Sequence, residues 1–302
     1  MIGVELLGIA ATTLVALGAW ESAAHRRRLA RIPVRVHVSG TRGKSSLTRL
    51  IAAGLRRHGV TTAAKTTGTL PRMILPDGRE LPVFRPAGPN IIEQVRIVSA
   101  AHALGARALV LECMALQPEL HWLAEHKLVR ATHGVITNVR ADHLDVMGPT
   151  VADVGRALAG MIPVRGVLIT AEREHLSILR EAAADRGTRL VTIEDADLAA
   201  VGADALARFR HTEHRENVAL ALKVLDELGV PRATALDGMA AADPDPGALT
   251  EAELDFFGRR IVFVNAFAAN DPLSTERIWR LVRQCPYIVR GLRRAGFRGG
   301  WL

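Results

Sequence analysis

Alternating apolar and polar positions predict that the body of the chain opens with a strand followed by a helix. Val34, Val36 and Val38 alternate with polar residues, which is typical of a half-buried strand. From Lys44 onward, apolar side chains recur at the spacing of one helix face, at Leu47, Leu50, Ile51 and Leu55. The segment between the two patterns is therefore a turn that leads from a strand into a helix.

The same alternation of strand and helix continues along the chain. Short apolar runs occupy residues 108–111, 135–137, 167–170 and 190–193. Helical patterns occupy residues 91–104, 151–161, 173–184 and 217–228. Repeated βα units favour a parallel sheet covered by helices on both faces. We therefore predict an α/β fold with a doubly wound, mainly parallel sheet.

Two changes in composition divide the chain into three predicted segments. Residues 2–20 are apolar or small apart from Glu5, and residues 242–248 are rich in turn formers. We expect an N-terminal segment at 1–32, a central domain at 33–247 and a C-terminal segment at 248–302. The last segment is short for an independent hydrophobic core.

The apolar N-terminal run has about the length that crosses a bilayer. The basic residues follow this run instead of preceding it, at Arg26, Arg27, Arg28, Arg31 and Arg35, which is not the order of a cleaved signal peptide. By the positive-inside rule, the body is expected at the inner face of the cytoplasmic membrane. The alternative is an amphipathic or buried helix, because Glu5 is costly in hydrocarbon.

The net positive charge of the chain does not by itself indicate a nucleic-acid partner. The 302 residues carry a formal net charge of +8, are 49% apolar and only 4% aromatic. Most of that charge comes from a tail without acidic residues after Glu276, at Arg277, Arg280, Arg283, Arg290, Arg293, Arg294 and Arg298. No basic stripe with interleaved aromatic residues accompanies it, so nucleic acid is not an expected partner. Cys113 and Cys285 have neither disulfide-framework nor zinc-site spacing.

The turn after the first strand has the composition of a phosphate-binding loop. Glycines in such a loop expose backbone N–H groups to phosphate oxygens at the positive end of the helix, a lysine contacts the β- and γ-phosphates, and a hydroxyl coordinates Mg²⁺. The residues expected to bind ATP here are Gly40, Thr41, Arg42, Gly43, Lys44, Ser45 and Ser46. The general pattern has a glycine where this chain has Val38, so an ordinary turn is the alternative interpretation.

Four further motifs follow this loop, and together they carry a family resemblance. They are KTTGT at 65–69, LVLECMALQPE at 109–119, TNVRADHLDVMG at 137–148, and Glu216 with Asn217. With GTRGKS, the set resembles the Mur-ligase superfamily of ATP-dependent amide ligases, which includes folylpolyglutamate synthase. Together with ADPDPGA and NAFAANDP, the wording of these motifs is similar to the Mur-ligase-like subunits of poly-γ-glutamate synthases.

The resemblance implies roles for individual residues. Lys44, Glu112 and His143 are the expected catalytic residues, with Ser45 and Glu112 holding one metal ion and His143 a second. The remaining nucleotide contacts are expected from Thr67, Gly68, Thr69, Asn138 and Asn217. The alternative is that these residues have structural roles only: a hydrogen-bonded structural histidine at position 143, a polar turn around Lys65, and a helix cap at Asn217. His211 and His214 are expected on the surface, and Met114 in the core.

Two departures from the family pattern are expected to matter. Many Mur ligases hold the second metal with the help of a carbamylated lysine, but the stretch 146–222 contains no lysine. The resemblance also implies a third, Rossmann-like domain, which here is incomplete and merges into the arginine-rich tail.

The resemblance implies an ATP-dependent, ADP-forming ligase that polymerises glutamate through its γ-carboxyl group by an acyl-phosphate intermediate. Its expected partners are glutamate or poly-γ-glutamate, the membrane, and other subunits of a synthase and export complex. The alternatives are a folylpolyglutamate or Mur-type ligase, a catalytically impaired ATP-binding subunit, and a membrane-bound nucleotide kinase.

Overall fold

A computed structural model describes residues 2–68, 70–86, 88–248, 250–265, 275–276 and 278–280. Thr69 and almost all of the arginine-rich tail lie outside the described residues. The helices are α1 Ile2–Ala30, α2 Lys44–Arg57, α3 Glu93–Ala103, α4 Pro118–Leu123, α5 Leu144–Met147, α6 Val151–Ala159, α7 Leu176–Asp185, α8 Asp195–Ala199, α9 Ala203–Leu206, α10 Arg215–Glu227 and α11 Arg232–Ala240. A π-helical turn, Ala124–Val129, extends α4.

The strands form one large sheet and one hairpin. They are β1 Val34–Ser39, β2 Thr62–Thr66, β3 Arg72–Ile74, β4 Glu80–Pro82, β5 Ala108–Glu112, β6 His133–Ile136, β7 Val167–Thr170, β8 Arg189–Thr192, β9 Thr250–Phe256 and β10 Arg259–Asn265. The order in the large sheet is β4-β3-β2-β5-β1-β6-β7-β8, and β9 pairs with β10. Among the described strands of the large sheet, only β3 runs opposite to the others and pairs antiparallel with β2 and β4, which confirms the predicted mainly parallel α/β fold.

Strand β1 lies near the centre of the sheet, between β5 and β6. Successive side chains of β1 point to opposite faces of the sheet. Val36 and Val38 therefore share one face, where they pack under α2, α10 and α11. On the opposite face, a second core gathers residues such as Leu109 and Leu111 with α3. Helices therefore cover both faces, and the carboxyl ends of the parallel strands share one edge.

The N-terminal helix α1 joins the body only at its end. Leu29 and Ile32 are buried in the core on the α3 face, and His25 Nε2 lies 2.8 Å from the carbonyl oxygen of Leu128. Along the preceding turns the apolar side chains are exposed, among them Val4, Leu6, Leu7, Ile9, Leu14, Val15, Leu17 and Trp20. The structure therefore does not bury this apolar helix, and its length and composition allow it to cross a membrane.

A buried arginine ties α2 to two distant segments. The guanidinium of Arg49 forms a two-pronged contact with the Glu80 carboxylate, in which Nη2 donates to Oε2 at 3.1 Å. Its Nε lies 3.8 Å from Asp245 Oδ2, and the Arg49 and Asp245 side chains are 3% and 6% exposed. Asp245 belongs to the turn-rich segment 242–248, so the predicted domain boundary contacts the central domain directly.

We expect Arg49→Met to destabilise the protein by about 2–3 kcal/mol, because it leaves the buried carboxylate of Asp245 and the half-buried carboxylate of Glu80 without this cation. Urea unfolding of the detergent-solubilised protein, followed by circular dichroism, measures this loss. The matched control is Arg57→Met on the same helix, where the side chain is 62% exposed. An exposed pair contributes at most about 1 kcal/mol. Equal losses in both variants would contradict the prediction.

Candidate functional site

The loop between β1 and α2 has a backbone that requires both of its glycines. Gly40 and Gly43 have φ angles of 120° and 85°, in the region that favours glycine. A Cβ at Gly40 would lie 2.1 Å from Thr137 Oγ1, and one at Gly43 would lie 2.6 Å from Asn217 Oδ1. Val38 stands where the longer loop pattern has its first glycine, but here it is a fully buried strand residue paired with Glu112. The strand runs on to Ser39, so the loop begins at Gly40.

Lys44 begins α2 and folds back over the loop. Its Nζ donates hydrogen bonds to the carbonyl oxygens of Gly40 at 2.7 Å and Thr41 at 3.1 Å. Ser45 and Ser46 lie in the same first helical turn and are half-buried. The ammonium group therefore lies at the loop, beside the N-terminal end of the helix, where an anionic group is favoured.

Glu112 joins the phosphate loop to the second predicted loop. It ends β5 at the carboxyl edge of the sheet and is 2% exposed. Its Oε2 accepts hydrogen bonds from Ser45 Oγ at 2.8 Å and from the backbone N–H of Thr67 at 2.7 Å. Gly68 fits tightly against this group, since a Cβ at its position would lie 2.7 Å from Ser45 Oγ. Residues predicted from three separate motifs thus meet at one carboxylate oxygen.

Asn138 holds the phosphate loop from the other side. Its Oδ1 accepts a hydrogen bond from the Arg42 N–H at 3.2 Å, and its Nδ2 donates to the Arg42 carbonyl at 3.1 Å. Its own carbonyl oxygen accepts a hydrogen bond from the N–H of Thr41 at 3.0 Å. Both ends of the side-chain amide are engaged by the loop backbone, so the structure gives Asn138 a role in shaping the loop.

His143 follows Asn138 in the same motif. It has a left-handed backbone with φ 44° immediately before α5, and its side chain is 44% exposed. Its Nε2 is 3.8 Å from Asp142 Oδ1, while Asp142 pairs with Arg42 at 3.5 Å. Within the described parts of the chain, no three His, Cys, Asp or Glu side chains group closely enough to hold a metal ion by themselves.

These residues surround a cavity of about 320 Å³. Its polar lining includes Ser39, Gly40, Thr41, Lys44, Thr67, Gly68, Arg85, Glu112, Asp142 and His143. Met114, Ala115, Leu116 and Pro89 form an apolar wall. Met114 is therefore only half-buried and faces the cavity, which corrects the expectation of a core residue.

A buried network positions Asn217 against the phosphate loop. Asn217 lies within α10 rather than at its cap, and its Nδ2 donates to Glu213 Oε1 at 2.9 Å. His211 Nε2 lies 3.3 Å from the other oxygen of Glu213, and the His211 side chain is only 6% exposed. The expectation of a surface residue is wrong for His211, because this carboxylate draws it inward. Burial opposes ionisation of Glu213, but hydrogen bonds with His211 and Asn217 hold its pKa below the ordinary value.

A second buried cluster lies behind the cavity and is not predictable from the sequence. His37 Nδ1 is 2.8 Å from Glu125 Oε2, and Cys113 Sγ is 3.6 Å from His121 Nδ1. Burial opposes a charge on His37, but hydrogen bonds with Cys113 and Glu125 raise the pKa of its imidazole to about 9. Cys113 and His121 both reach the cavity wall. In the sequence, His37 looks like the solvent-facing position of an alternating strand.

Lys65 of the second motif does not face the cavity. It is fully buried, and its Nζ lies 2.7 Å from Glu93 Oε1 and 3.5 Å from Met114 Sδ. Burial lowers the pKa of the Lys65 ammonium, against the opposing effect of Glu93. The lysine is therefore a buried partner of Glu93, and the interpretation as a plain polar turn does not describe it.

Comparison with known proteins places this geometry in a family. Residues 38–229 match the Mur ligase middle domain, and residues 252–292 match the Poly-gamma-glutamate synthase CapB C-terminal domain. The fold is also that of E. coli FolC in complex with DHPP and ADP, with a TM-score of 0.62 at 21% identity, covering 88% of this chain and 70% of that chain.

Two curated relatives match nearly the whole chain. The Capsule biosynthesis protein CapB of Bacillus anthracis is 42% identical over 93% of this chain, which spans 61% of that relative's length. The PGA synthase CapB of Bacillus subtilis (strain 168) is 39% identical over the same share, and this chain spans 72% of it. The chain therefore belongs to the Mur ligase family, within the group of the CapB poly-gamma-glutamate synthases.

Proposed function

We propose that this protein is an ATP-dependent, ADP-forming ligase that joins glutamate units through their γ-carboxyl groups. The observation that carries the proposal is the Glu112 carboxylate, which binds Ser45 of the phosphate loop and Thr67 of the second loop through one oxygen. That contact brings a nucleotide-binding loop and a second substrate-facing loop to one cavity. A ligase that makes an acyl phosphate needs this proximity, because a carboxylate must meet the γ-phosphate.

The residues present fit Mg²⁺ bound together with ATP. Mg²⁺ prefers oxygen ligands at about 2.0–2.1 Å in octahedral geometry, and it commonly takes one or two protein ligands while phosphates and water complete the shell. Ser45 Oγ and Glu112 Oε2 are 2.8 Å apart, which suits two adjacent ligands of such an ion. His143 faces the same cavity and is the proposed ligand of a second ion. A bound Mg²⁺ would offset the charge of the phosphates and the attacking carboxylate.

The chain's own residues supply positioning and charge for the reaction. The loop N–H groups and Lys44 hold the phosphates of ATP, which favours attack of the substrate carboxylate on the γ-phosphorus and departure of ADP. An amine then attacks the acyl carbon, loses a proton, and displaces phosphate to leave an amide. Asn138 and Asn217 keep the loop in shape, since both side chains contact it directly.

The substrate assignment is supported by the CapB relatives, whose names refer to PGA synthesis and capsule biosynthesis. The match of residues 252–292 to the CapB C-terminal domain supports it further. The likeness to FolC supports only the fold, because the identity is 21%. We propose glutamate and poly-γ-glutamate as the substrates.

The exposed apolar helix α1 is the basis for a proposed location. Its apolar turns leave the body, and the arginines that follow them lie where a cytoplasmic body would begin. We place the protein at the inner face of the cytoplasmic membrane, anchored by α1. There it would assemble with other subunits that extend and export the polymer.

Glutamate-dependent phosphate release from ATP is the direct test. In detergent with Mg²⁺, L- or D-glutamate or a γ-linked glutamate oligomer should stimulate release, and Lys44→Ala should lower the rate by about 100-fold or more, since a phosphate contact made in the transition state is lost. The matched control is Lys127→Ala, because Lys127 is exposed and does not line the cavity. ATP binding without glutamate-dependent release would contradict the ligase and favour an ATP-binding subunit.

Gly68→Ala should raise the Mg²⁺ concentration needed for half-maximal activity by about tenfold. The added methyl would meet Ser45 Oγ at 2.7 Å and displace a proposed metal ligand. The measurement is phosphate release against Mg²⁺ concentration at saturating ATP. Gly202→Ala is the control, since a Cβ there meets nothing within 4 Å. An unchanged Mg²⁺ dependence in Gly68→Ala would contradict the metal assignment.

A further inference from the structure

Arg85 stands at the edge of the cavity and is held by an acidic partner. It follows β4, and its side chain is 16% exposed. Its Nε donates to Glu93 Oε2 at 2.6 Å and its Nη2 donates to Glu93 Oε1 at 3.0 Å. Glu93 is the first residue of α3, so the guanidinium is fixed by a helix that packs on the sheet.

The same carboxylate also binds Lys65. Lys65 Nζ lies 2.7 Å from Glu93 Oε1, and neither side chain is more than 6% exposed. Two cations therefore share one carboxylate, which leaves a formal charge of +1 on the cluster. Arg85 is the member of this cluster that lines the cavity, so the excess charge is presented to whatever the cavity binds.

The geometry of Arg85 leaves a binding edge open. A guanidinium carries five N–H donors. The edge formed by Nε and Nη2 donates to the Glu93 carboxylate. No hydrogen bond or ion pair with another described residue engages Nη1, so the end formed by Nη1 and Nη2 retains N–H donors. Such an end-on fork matches a carboxylate through two parallel hydrogen bonds.

We propose that Arg85 binds the α-carboxylate of the glutamate unit whose γ-carboxylate is activated. This inference rests on the proposed function. A terminal glutamate unit carries an α- and a γ-carboxylate. Only the carboxylate that lies beside Lys44 and the phosphate loop can be phosphorylated. Holding the α-carboxylate on Arg85, in the same cavity, leaves the γ-carboxylate for the phosphate. Arg85 would thereby select γ-linkage over α-linkage.

The test compares two peptides on the full chain. One is γ-linked triglutamate, and the other is the same peptide with the α-carboxylate of its terminal unit converted to an amide. For the unmodified protein, the amide should raise KM for phosphate release by about 10- to 100-fold, the range of a lost charge-assisted contact. In Arg85→Met both peptides should have the same high KM, because the contact that distinguishes them is lost. Arg85→Lys should recover only part of the preference.

Arg79→Met is the control, because Arg79 is exposed and pairs with Asp77 on the neighbouring hairpin. Affinity for a non-hydrolysable ATP analogue should be the same in all variants, which shows that the cavity is folded. An Arg85→Met protein that still prefers the free α-carboxylate would overturn this inference alone.

Binding of the same two peptides, measured by calorimetry with the ATP analogue present, separates the two proposals. Preferential, Arg85-dependent binding of the free α-carboxylate without phosphate release would support the carboxylate site while contradicting the ligase. Equal binding of both peptides, or binding of neither, would overturn the carboxylate site.

Discussion

The buried carboxylate of Glu112 is the point on which the site depends. One oxygen accepts hydrogen bonds from Ser45 and from the Thr67 backbone, so the ends of three neighbouring strands, β1, β5 and β2, are held together. A buried carboxylate is costly without partners, and these donors offset part of that cost. Under the proposed function, a cation bound together with ATP would complete the balance, and the acidic group would then have a reason to stand beside the phosphate loop.

Around this point, polar groups from distant segments hold the loop in one conformation. Asn138 bonds both backbone groups of Arg42, and Asn217, oriented by Glu213, packs on Gly43. Sites that act by charge and position need such support, since misplacement by about 1 Å costs rate steeply. The sheet edge alone would place the loop but would not fix its N–H groups.

The sequence predicts the features that depend on residues close together in the chain. The alternation before Ser39 and the helical spacing after Lys44 identify the strand, the loop and the helix, and the structure has them at those positions. Contacts between distant segments leave no such signal. His211 was expected on the surface and is buried on Glu213, and His37 finds its partner 88 residues away at Glu125. Arg85 is likewise an ordinary loop residue until α3 brings Glu93 beside it.

The cluster of Lys65, Glu93 and Arg85 shows how a costly interior can serve a site. Buried ion pairs are weak contributors to stability, because desolvation offsets most of the Coulomb attraction. Apolar residues in their place would pack at least as well. The ion pairs fix an orientation: Lys65 and Arg85 share the Glu93 carboxylate, Glu93 holds the Nε and Nη2 side of the guanidinium, and Arg85 lines the cavity. A reaction that gathers carboxylates beside phosphates needs a cation aimed in this way.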